Sequence, residues 1–228
     1  MSFIYTSSST AALMPQPDTK VTVTKSSWDQ AILDKTRSES KPAAFDLYGA
    51  LKTGAEKPIW SALEKHKPEA QVATVLPNVN LGAIIYSQGE HSSTASWVVK
   101  LVRGDASILE VMALQWFVNV QDTARLHVSA LLDPDCNGER TLAFAAPFNG
   151  NDVLAALRKL RPDHKLLDDV PGQSKDVTEI PTENAEKLWK KHYNKEFSGL
   201  GRRPRRSLLI SDFSRWLCLA WACNKRVC

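Results

Sequence analysis

The chain has 228 residues, 43% of them hydrophobic and 24% charged, which is enough apolar content for a buried core in one large or two small domains. The formal net charge is +4, but residues 201–228 hold seven Lys and Arg residues against one Asp, so the first 200 residues are mildly acidic. This distribution argues against a nucleic-acid-binding domain. The longest apolar stretch, 216–223, is too short to span a bilayer.

The cysteines predict neither a metal site nor a disulfide framework. Cys218, Cys223 and Cys228 lie near the carboxyl terminus, Cys136 is alone in the rest of the chain, and no Cys/His spacing suggests zinc. The first residues lack the charged and apolar regions of a secretion signal. We therefore expect a cytoplasmic protein with no metal, no nucleic-acid partner and no stable membrane insertion, in an oligomeric state that the sequence does not indicate.

The first third of the chain predicts two short strands separated by a long loop and a helix. Residues 3–5 form the first apolar run, and residues 13–42 are polar and interrupted by prolines, which predicts a loop. Residues 43–66 have helical spacing, with a kink expected at Pro58. Residues 73–76 predict a second buried strand that ends at a Pro-Asn pair. The apolar stripe expected to face the core of the helix is Leu47, Leu51, Ala55, Ile59 and Leu63.

The rest of the chain alternates predicted helices and strands, which favours an α/β fold with a parallel sheet. The predicted segments are helix 96–103, strand 116–120, helix 122–132, strand 140–145, helix 151–160 and helix 182–193. Asp122 is expected to cap the helix at 122–132. The side chains expected to face inward from that helix are Ala124, Val128 and Leu131.

Tyr48 and Lys52 stand four residues apart on the predicted helix at 43–66, so they share one face. Ser7, Ser8 and Ser9 follow the first strand, at the carboxyl end where parallel sheets bind ligands. A lysine ammonium near a phenol stabilises the phenolate, which lowers a tyrosine pKa from about 10 toward the range of a proton donor. A tyrosine, a lysine and a serine together can protonate a carbonyl oxygen as hydride arrives.

The same residues also have a structural interpretation. A tyrosine four residues before a lysine arises by chance in many chains, and both side chains could be surface residues of an amphipathic helix. The hydroxyl cluster at residues 6–10 could equally be a turn or a helix cap. The spacing alone therefore leaves both roles open.

The order of segments along the chain is more specific than any single motif. In that order the chain resembles the extended short-chain dehydrogenase/reductase family, whose members include proteins related to NAD-dependent epimerases/dehydratases. The branch it resembles contains the dihydroflavonol-reductase-like enzymes and the fungal aldehyde and ketone reductases. The matching segments, which cover about residues 3–196, are FIYTSSSTAAL, LYGALKTGAEK, VATVLPNVNLG, STASWV, WFVNVQDTARLHVSALLDPD and RTLAFAAPFNGNDVLAALRKL.

This resemblance implies an oxidoreductase that reduces an aldehyde or ketone to an alcohol with NADP, or with NAD, as part of secondary metabolism. Ser8 would then orient the substrate carbonyl, Tyr48 would donate the proton, and Lys52 would tune Tyr48 and hold the nicotinamide ribose. The nicotinamide end would also contact Tyr48 itself and backbone groups of the segment that contains Leu76, Pro77 and Val79. The partner implied is a small-molecule carbonyl substrate.

The sequence departs from the family's pattern in three respects. Its ten glycines contain no GxxGxxG, the turn that places a pyrophosphate at a helix N-terminus. Leu51 occupies a position where the family often has a small residue, and Pro58 interrupts the helix that carries Lys52. The resemblance stops near Phe197. We therefore expect either a reductase whose nucleotide-binding part lies in a longer form, or a non-catalytic remnant or interaction module of the same fold.

The fold class implied is α/β, with a partial Rossmann-like parallel sheet that lacks its first strands and glycine-rich loop, and a small α/β substrate-binding part. Residues 1–82 and 116–132 would form the catalytic portion, and residues 83–115 and 133–196 the substrate-binding portion. Residues 197–228 are expected to be a basic, cysteine- and tryptophan-containing extension without stable structure.

Overall fold

A computed structural model of the chain describes residues 1–14, 19–82 and 93–201. The strands within these ranges are β1 (Ser2–Thr6), β2 (Gln71–Pro77), β3 (Val79–Leu81), β4 (Gln115–Asn119), β5 (Arg140–Ala143) and β6 (Ala146–Phe148). The α-helices within the same ranges are α1 (Gln30–Ser38), α2 (Ala44–His66), α3 (Ser93–Val102), α4 (Ser107–Val111), α5 (Val120–Leu132), α6 (Gly150–Leu160) and α7 (Glu183–Tyr193). Short 3-10 turns at Ser9–Ala11 and Pro134–Cys136 complete the regular structure of the described residues.

The first sheet contains three parallel strands in the order β1-β2-β5, with Phe3 opposite Val72 and Val75 opposite Thr141. The expected α/β class with a parallel sheet is therefore confirmed. Strand β2 is central in this order. Its run Val72–Leu76 is buried, because a parallel sheet is covered by other elements on both faces. All three strands end at the same edge of the sheet.

The second sheet continues directly from that edge. Strand β3 follows β2 after a single residue, Asn78, and pairs in parallel with β4, which pairs antiparallel with β6. The expected strand at 140–145 is found as β5, which ends at Ala143 in the first sheet, and β6 begins at Ala146 in the second. Strand pairing crosses the expected division, because β5 and β6, from the expected substrate-binding portion, pair with β2 and β4 of the expected catalytic portion. The division into two portions stays a prediction.

Three clusters of buried apolar side chains form the core. The first packs the second sheet against α3, α4 and α6, around Phe117 and Phe148. The second packs the first sheet against α5 and α7, around Leu126 and Trp189. The third, around Phe144, lies at the carboxyl ends of β2 and β5. This third cluster supports the edge at which the candidate site is built.

Helix α2 forms where it was predicted, but the stripe expected to face the core is wrong. Leu51 is 71% exposed and Leu47 is 44% exposed, whereas the buried residues of the helix are Gly49, Thr53 and Glu56. The reason is that α2 packs closely against α1 and the turn at Ser9–Ala11, so that small side chains are favoured where these elements meet. The helix continues beyond Pro58 to its last residue, His66. Lys67, whose backbone is left-handed, caps this end.

Two further expectations fail, one for the loop at residues 13–42 and one for the cap and buried face of the helix at 122–132. Residues 13–42 are not all loop, since Asp29 accepts a hydrogen bond from the Ile32 N–H and caps α1. Helix α5 is capped by Asn119 rather than by Asp122, and its buried apolar residues are Leu126 and Ala130. The three residues expected to face inward, Ala124, Val128 and Leu131, are exposed.

Residues 197–201, expected to lack stable structure, pack on the domain. The Phe197 ring stacks on Trp189 with centroids 5.5 Å apart, and the Ser198 N–H donates to the buried carboxylate of Asp122 at 2.7 Å. Leu200 packs against the first apolar cluster. Asp122 therefore anchors this segment. The remainder of the predicted extension, residues 202–228, lies outside the described residues.

Candidate active site

The serine turn, residues Ser7–Ala11, leaves β1 at the carboxyl edge of the first sheet. The Ser7 N–H donates to the Val75 carbonyl at 2.9 Å, which continues the strand pairing by one residue. The Ser8 hydroxyl oxygen then accepts from the Thr10 N–H at 3.3 Å and from the Thr10 hydroxyl at 3.0 Å. Because both acceptor positions of Ser8 are used, its own proton is free to be donated.

Tyr48 and Lys52 lie on the first half of α2, as predicted. The Lys52 ammonium is 5.9 Å from the centroid of the Tyr48 ring and equally far from that of Tyr5, so it lies between two aromatic rings. It also donates to the Thr6 carbonyl at 3.1 Å. Tyr48 is 44% exposed, and its ring stacks against Phe45. The Tyr48 ring and the Lys52 ammonium thus lie near each other at the end of β1.

The serine turn packs against the turn of α2 that carries these two residues. A Cβ added to Gly49, the residue after Tyr48, would lie 3.7 Å from Thr10 Cβ and 3.3 Å from Ile32 Cγ1. Gly49 therefore permits the close approach of the two segments. Thr53, the residue after Lys52, directs its hydroxyl toward the Thr10 carbonyl at 3.5 Å. The structure thus brings the segment of Ser8 beside that of Tyr48 and Lys52.

The segment expected to contact the nicotinamide end lies at the same edge, at the end of β2. Leu76, Pro77 and Val79 are all buried, with Leu76 in the third apolar cluster and Val79 in the first. Their side chains are committed to the core, so any contribution to a ligand comes from backbone groups. A small cleft of about 260 Å³, which includes open solvent, opens nearby. Its lining residues are Ser9, Ala12, Leu13, Val23, Asn78, Phe144, Asp176 and Ile180.

Sequence reasoning missed Glu56, the most heavily hydrogen-bonded carboxylate near the site. It is fully buried and accepts hydrogen bonds from Ser7, Trp60, Thr74 and Arg140. Burial alone would raise the pKa of Glu56, but the hydrogen bonds and positive charge of Arg140, with hydrogen bonds from Ser7 and Trp60, hold that pKa below its ordinary value. The available signal was its spacing, one helical turn after Lys52.

Burial acts on two other groups in the first sheet and its surroundings. It raises the pKa of the Tyr5 phenol, and the negative charge of Glu56 and the neighbouring Tyr48 raise it further. It also raises the pKa of the Cys136 thiol to about 11, with a contribution from Asp133, so this cysteine stays protonated. Neither group therefore supplies an anionic nucleophile at neutral pH.

Two negative findings apply to residues 1–14, 19–82 and 93–201. No group of His, Cys, Asp and Glu side chains there has the arrangement of a metal site. None of the helices there is long and apolar enough to cross a membrane.

The curated proteins similar to this chain include fungal ketoreductases, an aldehyde reductase and NAD-dependent epimerase/dehydratase proteins. Ketoreductase adrE of Penicillium roqueforti is 34% identical over 193 residues, which are 83% of this chain and 54% of that protein. Aldehyde reductase 2 of Sporidiobolus salmonicolor is 33% identical over 185 residues, which are 79% of this chain and 54% of that protein. The chain thus spans about half the length of these relatives. No protein-family model matches the sequence.

Solved structures of reductases share the fold. Yeast methylglyoxal/isovaleraldehyde reductase Gre2, in complex with NADPH, has a TM-score of 0.73 at 20% identity, over 96% of this chain and 64% of that one. Vestitone reductase from alfalfa has a TM-score of 0.65 at 20% identity, over 96% of this chain and 65% of that one. These structures show the shared fold, and the relatives in sequence place the chain in the extended short-chain dehydrogenase/reductase family, beside the fungal ketoreductases and aldehyde reductases.

Proposed function

We propose that residues 1–201 carry out the proton-transfer half of an NAD(P)H-dependent reduction of an aldehyde or ketone, with NADPH as the preferred cofactor and a substrate of secondary metabolism. The observation that supports this most is the packing of the serine turn against α2. This packing brings the segment of Ser8 beside that of Tyr48 and Lys52 at the carboxyl edge of a parallel sheet, where such sheets bind ligands.

The residues present fit the nicotinamide end of the cofactor. Tyr48 is partly exposed beside the Lys52 ammonium, and the backbone at Pro77 and Val79 lies at the end of β2. The sequence contains no GxxGxxG turn that would hold the pyrophosphate. When bound, the cofactor would supply the hydride that the carbonyl carbon receives.

The chain's own residues would handle the carbonyl oxygen. Ser8, whose hydroxyl already accepts two hydrogen bonds, would donate its proton in a hydrogen bond to that oxygen. Tyr48 would transfer its phenolic proton to the oxygen and complete the alcohol. The Lys52 ammonium would stabilise the phenolate that remains, since an opposite charge nearby favours the ionised form.

The alternative is a non-catalytic remnant or interaction module, and the absence of GxxGxxG from the sequence favours it. A chimaera separates the two. Residues 1–201 would replace the matching segment of the Sporidiobolus aldehyde reductase, and oxidation of NADPH would be followed with aldehydes and ketones. A reductase half gives turnover that Tyr48→Phe abolishes. A chimaera that folds and binds NADPH but turns over no carbonyl that the parent reduces would contradict the proposal.

A further inference from the structure

Glu56 joins four separate elements through its two carboxylate oxygens. Oε1 accepts from Thr74 Oγ1 at 2.8 Å, from Arg140 Nε at 2.9 Å and from Trp60 Nε1 at 3.1 Å. Oε2 accepts from Ser7 Oγ at 2.6 Å and from Arg140 Nη2 at 3.2 Å. These donors belong to the serine turn, α2, β2 and β5. One carboxylate therefore fixes the positions of all four relative to one another.

Arg140 balances the charge of Glu56 and makes further contacts with the segment at residues 25–28. The Arg140 guanidinium is buried, donates to the carbonyl groups of Lys25 and Ser27 at 2.8 and 2.7 Å, and lies 3.9 Å from the centroid of the Trp28 ring. With Arg140 beside it, Glu56 is ionised and can only accept hydrogen bonds. The Ser7 hydroxyl must therefore point its proton at Glu56, so its orientation is fixed.

The position of Glu56 on α2 links its hydrogen bond with Ser7 to the geometry of the candidate active site. Glu56 lies one helical turn after Lys52 and two after Tyr48, on the same helix. Ser7 directly precedes Ser8, the proposed hydrogen-bond donor to the substrate. The Ser7–Glu56 bond thus connects, at 2.6 Å and away from solvent, the two segments whose relative position sets the distance between Ser8 and Tyr48.

We propose that Glu56 is a positioning residue: through its hydrogen bond to Ser7, it holds the serine turn in register with the helix that carries Tyr48 and Lys52. Neither Glu56 nor Ser7 contacts the reacting atoms in this arrangement. The catalytic consequence rests on the proposed reductase function, whereas the hold on the serine turn is a property of the chain alone.

The test compares two hydroxyl groups that donate to the same carboxylate. Ser7→Ala removes the bond to the serine turn, and Thr74→Val removes a bond of similar length from the central strand, so Thr74→Val is the matched control. The readout is amide hydrogen exchange of the full chain without cofactor, at the N–H groups of Ala11, Ala12 and Leu13, which bond within the turn. We expect exchange about tenfold faster in Ser7→Ala and within about threefold of wild type in Thr74→Val, relative to amides of α7.

Equal exchange in the two variants would overturn the proposal, because Glu56 would then serve general stability only. In the reductase chimaera, Ser7→Ala should lower kcat about tenfold with little change in the KM of the carbonyl substrate. Loss of stability alone would reduce the amount of active enzyme and leave kcat per folded molecule unchanged. If the chimaera is inactive while Ser7→Ala still loosens the turn, the proposed function fails and the positioning role stands.

Discussion

The Lys52 ammonium donates a hydrogen bond of 3.1 Å to the Thr6 carbonyl, so Lys52 is held by the residue that ends β1. This contact places Lys52 between the rings of Tyr5 and Tyr48, each 5.9 Å from the ammonium. The ammonium is thereby fixed at the edge of the sheet, beside Thr6, which lies two residues before Ser8. In the proposed reaction, a lysine already held in this way would act on Tyr48 and on the ribose with little further loss of side-chain entropy.

Lys52→Ala should lower both the reductase rate and the affinity for NADPH in the chimaera, because one ammonium would serve both. We expect a rate loss of about 10²–10⁴-fold, the range for acid–base catalysis. Lys57→Ala is the matched control, since Lys57 lies on the same helix but bonds to Gln30 and lies over Trp28. Steady-state kinetics and titration with NADPH measure the two effects. A Lys52→Ala rate within threefold of the Lys57→Ala rate would contradict the assignment.

The 228-residue chain by itself should bind NADPH weakly, because its sequence offers no glycine turn for the pyrophosphate. Isothermal titration calorimetry measures this directly, with the yeast Gre2 reductase, whose NADPH complex is known, as positive control. A dissociation constant near 1 μM corresponds to about −8 kcal/mol of binding free energy. Such an affinity would require anchoring contacts that the described residues do not supply, and the prediction would be wrong.

Arg140→Met should destabilise the fold by about 3–5 kcal/mol, because it leaves the buried Glu56 carboxylate without its positive partner. The double variant Glu56→Leu with Arg140→Met should recover part of the loss, since it removes both charges together. Denaturant unfolding followed by far-ultraviolet circular dichroism gives the three free energies. If the double variant were less stable than Arg140→Met, hydrogen bonds from Ser7, Trp60 and Thr74 would outweigh the charge.

Local patterns in the sequence predicted most elements but not the buried face of α2. The apolar run at β2 and the amphipathic spacing of α7 carry their own signals, so both were found. The buried face of α2 depends on partners far away in the chain, since Glu56 bonds to Ser7 and Arg140, which are 49 and 84 residues distant. Hydrophobic periodicity contains no information about such bonds. The leucines of α2 therefore suggested a core that lies on the opposite side.

The difference in burial between an exposed leucine of α2 and a core leucine can be measured. Leu51→Ser should change the free energy of unfolding by less than about 0.5 kcal/mol, because Leu51 is 71% exposed. Leu126→Ala should cost about 2–5 kcal/mol, because Leu126 is fully buried in the second apolar cluster. The helix propensities of serine and alanine differ by less than about 0.7 kcal/mol, so propensity does not account for the expected difference. A cost above about 2 kcal/mol for Leu51→Ser would mean that α2 buries its leucine face after all.

Removing residues 202–228 should improve solubility without changing stability. These residues hold seven Lys and Arg residues and three of the four cysteines, so they favour intermolecular contacts and disulfides under oxidising conditions. Removing residues 197–228 should instead lower the unfolding temperature by about 4 °C or more. That deletion also takes away the Phe197–Trp189 stacking and the Ser198 hydrogen bond to Asp122, contacts worth about 1–3 kcal/mol.

Thermal unfolding and size-exclusion chromatography of the three lengths, with and without reductant, compare these outcomes. Phe197→Ala in the full chain is the matched variant, since it removes the ring and keeps the backbone N–H of Ser198 in place. We expect it to reproduce much of the loss seen on removing residues 197–228. Unfolding of residues 1–201 several degrees below the full chain would show that residues 202–228 also pack on the domain, because no contact among the described residues is lost in that deletion.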